Sequence, residues 1–241
     1  MPSRAAPLIT LLFVLSVTRT AAQAPGAVTE LDPGVGIAVE LHPRARLDFY
    51  TGREKSEEIA GSKWKASGGA SFRVKPAFKR FLDAIDTDKQ HLLVVGASYE
   101  FSRASEAGEE KVEHKIMLDG TPRYLFPLNV LASNRNRFEL RWVNGDYHWR
   151  YRNRLFAERS FKIPFRLKRI EVTPYGGAEA IWDHRYHKWS LFKFTGGVQI
   201  PLVRRTSIEF QYERQNCVTC ADRSTNIFGI TLNLNFRLKR K

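Results

Sequence analysis

Apolar and polar positions alternate with a period of two along most of this chain. The clearest stretch runs from Asn134 to Glu158, NRNRFELRWVNGDYHWRYRNRLFAE. Arg135, Arg137, Glu139 and Arg141 are interleaved with Phe138, Leu140 and Trp142. Beyond Asn144-Gly145-Asp146, Arg150, Arg152 and Arg154 are interleaved with Trp149, Tyr151 and Leu155. Two is the side-chain period of a β-strand, and Asn-Gly between two such runs predicts a hairpin. Comparable runs fall at 44–53, 67–76, 90–102, 111–126, 130–144, 147–161, 168–182, 188–202, 204–215 and 225–237. A further short one is expected at 35–42, after Pro33-Gly34, and only Phe78 to Asp86 has a local helical pattern.

Nearly every run is two-faced. Leu93, Val95, Ala97, Tyr99 and Phe101 oppose Gly96, Ser98, Glu100 and Ser102, while Phe228, Ile230, Leu232, Leu234 and Phe236 oppose Thr231, Asn233 and Asn235. Many runs reach ten residues or more. Strands of soluble domains average about five or six residues, whereas a strand crossing a bilayer needs about nine to eleven. The pattern therefore predicts an all-β, transmembrane, antiparallel up-and-down β-barrel of about 10–12 strands, with an even count expected. A secreted soluble β-barrel that binds a small ligand shows the same alternation and is the alternative.

The N-terminus supports export. Arg4 precedes the apolar run Leu8 to Val17, and small residues surround Ala21, Ala22 and Ala24, as in a secretory signal peptide. We read residues 1–24 as the signal, 25–34 as a loose lead-in, 35–237 as the barrel and 238–241 as a basic tail. No later stretch approaches the roughly 18 consecutive apolar residues of a membrane helix. The expected location is the cell outer membrane, with its lipids as surroundings. The final strand NIFGITLNLNF has the near-terminal phenylalanine that resembles the signal read by the barrel assembly machinery, although Arg237 to Lys241 continue past it.

The formal charge of +14 falls to about +12 when Arg4 and Arg19 leave with the signal. On the polar faces, however, bases and acids are nearly balanced. The charge ladder assigned to the lumen is Arg135, Arg137, Glu139, Arg141, Arg150, Arg152, Arg154, Glu158, Glu171 and Glu179, and Arg46, Asp48, Arg73, Lys75, Glu100, Glu113, Lys115, Lys193, Glu209 and Glu213 are assigned inward with it. A barrel of this size has a narrow interior, so charges packed there must pair. Two functions follow: a closed structural barrel held by salt bridges, or porin-like passage of small anionic solutes along an arginine ladder. Arginine and aromatic residues also interleave on single-strand-binding sheets, but here they lie on opposite faces of exported strands, which excludes a nucleic-acid partner.

Candidate chemistry is sparse. A rim-sited lipid-modifying enzyme would draw on His184 and His187, with Asp183 beside them and Ser190 as the nearest serine. No nucleophile motif accompanies them. A lone His-x-x-His pair does not specify a metal, so neither metal nor cofactor is expected. Cys217 and Cys220, spaced C-x-x-C in a loop of an exported chain, predict a short structural disulfide.

The segments NRFELRW, WRYRNRLFAER, PYGGAEAIWD, GGVQIPL and SIEFQYERQ, in that order, resemble the family called domain of unknown function 2490. The resemblance covers about residues 35 to 236. It implies a Gram-negative outer-membrane β-barrel and carries no biochemical activity and no catalytic residues across.

Overall fold

The computed structural model describes residues 28–55, 62–74, 93–106, 109–165, 168–203, 205–219 and 224–237. The expected signal peptide, Lys75, the 78–86 helical turn, Cys220 and the basic tail lie outside the described residues. Twelve strands form one sheet: β1 (Val28–His42), β2 (Ala45–Lys55), β3 (Ser62–Val74), β4 (Leu93–Glu106), β5 (Glu109–Phe126), β6 (Val130–Val143), β7 (Asp146–Glu158), β8 (Phe161–Phe165), β9 (Lys168–Asp183), β10 (Lys188–Val203), β11 (Thr206–Cys217) and β12 (Ser224–Arg237). Apart from β8, each strand has at least 11 residues, and β5 has 18.

Eleven of these strands close into a ring. Consecutive strands pair antiparallel from β1 to β7, β7 then pairs with β9, and β9 to β12 continue the meander. The ring closes where β12 pairs with β1 in parallel, from Val28↔Thr225 to Glu40↔Arg237. An odd number of alternating strands leaves the first and last running the same way, so this seam has to be parallel. The all-β barrel is as expected, but the even strand count and the fully antiparallel ring are corrected.

Two local features explain the difference. β1 begins at Val28, seven residues before the expected Val35, and so spans the Pro33-Gly34 pair that reads as a boundary. Gly34 and Gly52 face each other across β1 and β2, and the Tyr50 hydroxyl occupies the space beside them. A Cβ on Gly34 would lie 2.3 Å from that oxygen, so glycine is needed for packing here and does not break the strand. The second feature is β8, which continues β7 against β9 in one unbroken register, from Glu158↔Tyr175 to Phe161↔Val172. It extends the hairpin past the ring as an edge strand, a position that tolerates Pro164.

The predicted hairpin turn also forms. Asn144 and Gly145 both take positive φ, 50° and 94°, as a tight two-residue connection requires. The Asn144 side chain ties the turn to β5, accepting from Val112 N at 2.8 Å and donating to Glu110 O at 3.2 Å.

The barrel is inside out relative to a soluble domain. Among the described residues, eighteen buried residues are polar or charged and eight are hydrophobic. Leu118, Leu155, Phe72, Phe194, Phe228 and Tyr124, by contrast, stand exposed on the outer wall. A water-soluble monomer rarely exposes so continuous an apolar surface.

Candidate functional site: the barrel lumen

Strand parity delivers the charged side chains to the interior. In the β6–β7 hairpin, Glu139 faces Arg150, Arg137 faces Arg152 and Arg135 faces Arg154. Arg141 and Glu139 are 0% and 1% exposed, while Phe138 between Arg137 and Glu139 is 37% exposed on the outside. The two faces predicted from alternation are therefore the two faces observed.

Toward the end that carries the 143–146 and 183–188 turns, the lumen is filled by ion pairs. Glu113 is the first hub: it accepts from Arg141, from Lys63 at 3.3 Å and from Ser102 at 3.3 Å, with Lys115 at 3.8 Å. Lys115 in turn holds Glu100 at 2.8 Å. Arg152 is the second hub and uses its planar fork to bridge two strands. It donates to Glu139 at 3.0 Å and to Glu179 at 2.8 and 3.2 Å, and Arg135 reaches Glu179 at 3.0 Å. At the end of β9, Asp183 is 0% exposed and accepts from Arg150 and, at 3.0 Å, from Arg185. Lys193 lies 3.3 Å from Glu213, which also accepts from Gln215 at 2.7 Å.

Fully desolvated charges are tolerated only when each is paired and hydrogen-bonded. The two hubs meet that condition by drawing partners from several strands. The interlock ties β3, β5 and β6 together through Glu113 and β6, β7 and β9 through Arg152, with a small apolar cluster of Ile181, Leu191 and Cys217 also buried.

Below the plug the lumen opens into a cavity of about 650 Å³. Its lining combines small residues, Gly36, Gly69, Gly96, Ser71 and Ser98, with the charged Asp119, Arg135 and Arg137. The space exists because side chains on β1, β3 and β4 are short at this level. Arg137 grips Asp119 with two bonds, 2.7 and 3.0 Å. Arg46 pairs with Asp48, whose other oxygen accepts from Ser71 at 3.4 Å. Glu209 accepts from Tyr175 and, at 3.2 Å, from Asn233. The cavity is thus polar, multidentate and internally charge-matched.

Most of the expected lumen residues are where alternation predicts them, with one correction. Glu171 lies on the β8–β9 extension opposite Lys162 and is exposed outside the ring, because the strand continues beyond the wall. Arg154 faces inward as expected, with its guanidinium over the Phe156 ring at 4.8 Å. Glu158 ends β7 opposite Tyr175. Lys63, Lys65, Asp119, His148 and Asp183 belong to the interior and were not expected. Lys63 and Lys65 share the parity of Ser67 and Ser71, a signal hidden by starting that strand at residue 67.

The residues of the lipid-enzyme alternative do not converge. Asp183 points into the lumen onto its arginines, and Ser190, 3% exposed at a bulge of β10, donates to Ile181 O at 3.3 Å. His184 packs against Trp149 at 5.3 Å and His187 against Trp182 at 6.3 Å, both exposed. Among the described residues no cluster of three or more His, Cys, Asp or Glu suits a metal ion. Cys217 ends β11 and is buried, and its expected partner Cys220 lies outside the described residues.

No curated protein and no solved structure matches the chain. A family model described as "Protein of unknown function (DUF2490)" matches residues 27–225, from the strand that opens the ring to the first residues of the one that closes it. The match covers most of the sequence, and the chain belongs to the DUF2490 family.

Proposed function

We propose that this protein is an outer-membrane β-barrel whose lumen is closed at one end by an ion-pair plug and open at the other as a polar cup. The observation that carries the proposal is the plug itself: Glu139 and Arg141 on β6 and Asp183 on β9 are each at most 1% exposed inside a wall whose outer face is apolar. In this reading the apolar face meets lipid and Trp149, Trp182, Trp189 and Tyr147 mark one interface, where amphipathic rings concentrate. On the same reading the Arg237 end of β12 lies on the periplasmic side, so the cup faces the periplasm and the plug faces outward.

Passage of anions along an arginine ladder finds less support than closure, since the arginines of the plug sit on carboxylates. The cup, with its matched charges, suits a neutral or zwitterionic polar solute better than an anion. A Cys217–Cys220 bridge belongs to the same proposal, shaping the outer 217–224 connection while contributing little through so small a loop.

Cell fractionation combined with gel mobility before and after heating tests the location. The expected result is recovery with the outer membrane and a heat-dependent mobility shift. Recovery as a soluble periplasmic protein with no shift would overturn the proposal in favour of a soluble ligand-binding barrel.

A further inference from the structure

Three asparagines stand on the wrong face of this barrel. Asn134 and Asn136 of β6 and Asn153 of β7 have the outward parity of Phe138, Tyr151 and Leu155, and Arg135 and Arg137 between them point inward. They lie within the apolar band. Phe138, Trp149 and Trp182 flank them on one side, and Leu155, Tyr124 and Ala132 on the other.

The three amides bond to one another. Asn153 donates to Asn134 at 3.0 Å and to Asn136 at 2.9 Å, Asn136 donates to Asn134 at 2.7 Å, and Tyr151 OH donates to Asn136 at 2.6 Å. Asn134 donates once, to Asn153 Oδ1 at 3.4 Å. A carboxamide has two N–H donors and an oxygen with two lone pairs. Among the described residues, Asn134 therefore keeps one donor and Asn153 one acceptor at the surface of the cluster. Lipid tails can satisfy neither.

Beside the cluster, the outer wall is hollowed. Ala132, Ala157, Gly176 and Ala178 form the floor of an apolar groove of about 490 Å³, with Pro122, Tyr124 and Leu155 at its edges. Small residues that allow close backbone approach, next to polar groups that bond across the contact, are what membrane-embedded protein interfaces use in place of a hydrophobic driving force.

We infer that the β6–β7–β9 outer wall is a self-association surface, and that its occupant is the same wall of a second copy of this chain. The chemistry is self-complementary. One spare amide donor and one spare acceptor, related by a two-fold axis, satisfy each other in both directions, and no charge is left over. An isologous contact of this kind closes at a dimer. The inference rests on the membrane-embedded reading above.

The test uses the full mature chain purified in detergent and reconstituted in phosphatidylcholine vesicles, with self-association read by energy transfer between labelled copies at fixed protein-to-lipid ratio. Wild type should dimerise. The Asn134→Leu/Asn153→Leu double variant should dimerise roughly tenfold more weakly, since the exchanged bonds occur twice by symmetry. Ala157→Phe, which fills the groove and leaves the amides in place, should lose the dimer as well. Heat-dependent gel mobility, measured on each variant, should be unchanged, which separates loss of the contact from loss of the barrel. Monomeric wild type, or undiminished association in both variants, would overturn the inference even with the barrel intact. Wild type that is monomeric with a co-purified lipid or another protein on this wall would overturn it too.

Discussion

Leu118 and Met117 are neighbours on β5, and their partners Phe138 and Glu139 are neighbours on β6. Leu118 is 50% exposed and faces outward with Phe138, while Met117 and Glu139 are 3% and 1% exposed in the lumen. One peptide unit thus separates an apolar exterior from a charged interior. In a soluble barrel, arginine at an exposed leucine would cost almost nothing. In a lipid-facing wall, arginine near the bilayer midplane costs roughly 2–4 kcal/mol. Leu118→Arg is therefore expected to lower stability by about that amount in reversible urea unfolding from lipid vesicles. A change within about 0.5 kcal/mol would place this face in water.

At the scale of the strand, the ring depends on a seam that no local pattern announces. Parallel pairing of β12 with β1 is held by the ladder from Val28 to Glu40 and by Glu40, which lies 2.8 Å from Arg237 and 3.3 Å from Arg73. Val35 and Leu232 are register partners on the outer face. Cysteines at these two positions, in a Cys217→Ser/Cys220→Ser background, should form an intramolecular disulfide on mild oxidation. Failure to cross-link, with the barrel folded, would contradict the parallel seam.

The same strand shows where sequence reading reaches and where it stops. The alternation from Arg135 to Arg154 was enough to separate the faces correctly, because side-chain parity is local. Strand parity around the ring depends on whether residues 28–34 pair with β12, a partner about two hundred residues away, and Pro33-Gly34 reads locally as a break. Asp183 was misplaced for a similar reason. Its neighbours His184 and His187 suggested a chemical loop, whereas its role is fixed by Arg150 on another strand. The asparagine cluster was present in the opening motif, yet its meaning appears only once Asn134, Asn136 and Asn153 share an outer face.

For the whole molecule, one physical requirement shapes the architecture. A narrow polar lumen in a low-dielectric wall must neutralise its own charges, and this chain does so with Glu113, Glu139, Glu179 and Asp183 set among arginines and lysines. Removing one partner of such a pair leaves a buried charge uncompensated, typically at a cost of about 3–5 kcal/mol, unless water enters. The plug is thus the feature that distinguishes a closed barrel from a pore. Planar-bilayer recording tests it directly, comparing wild type with Glu113→Gln/Glu139→Gln. Wild type is predicted to show no steady conductance, and the double variant to admit water and conduct with anion preference, because Arg141 loses the Glu113 carboxylate while Lys115 and Arg152 are left with Glu100 and Glu179. A steady ion current through the wild-type barrel would contradict a closed lumen.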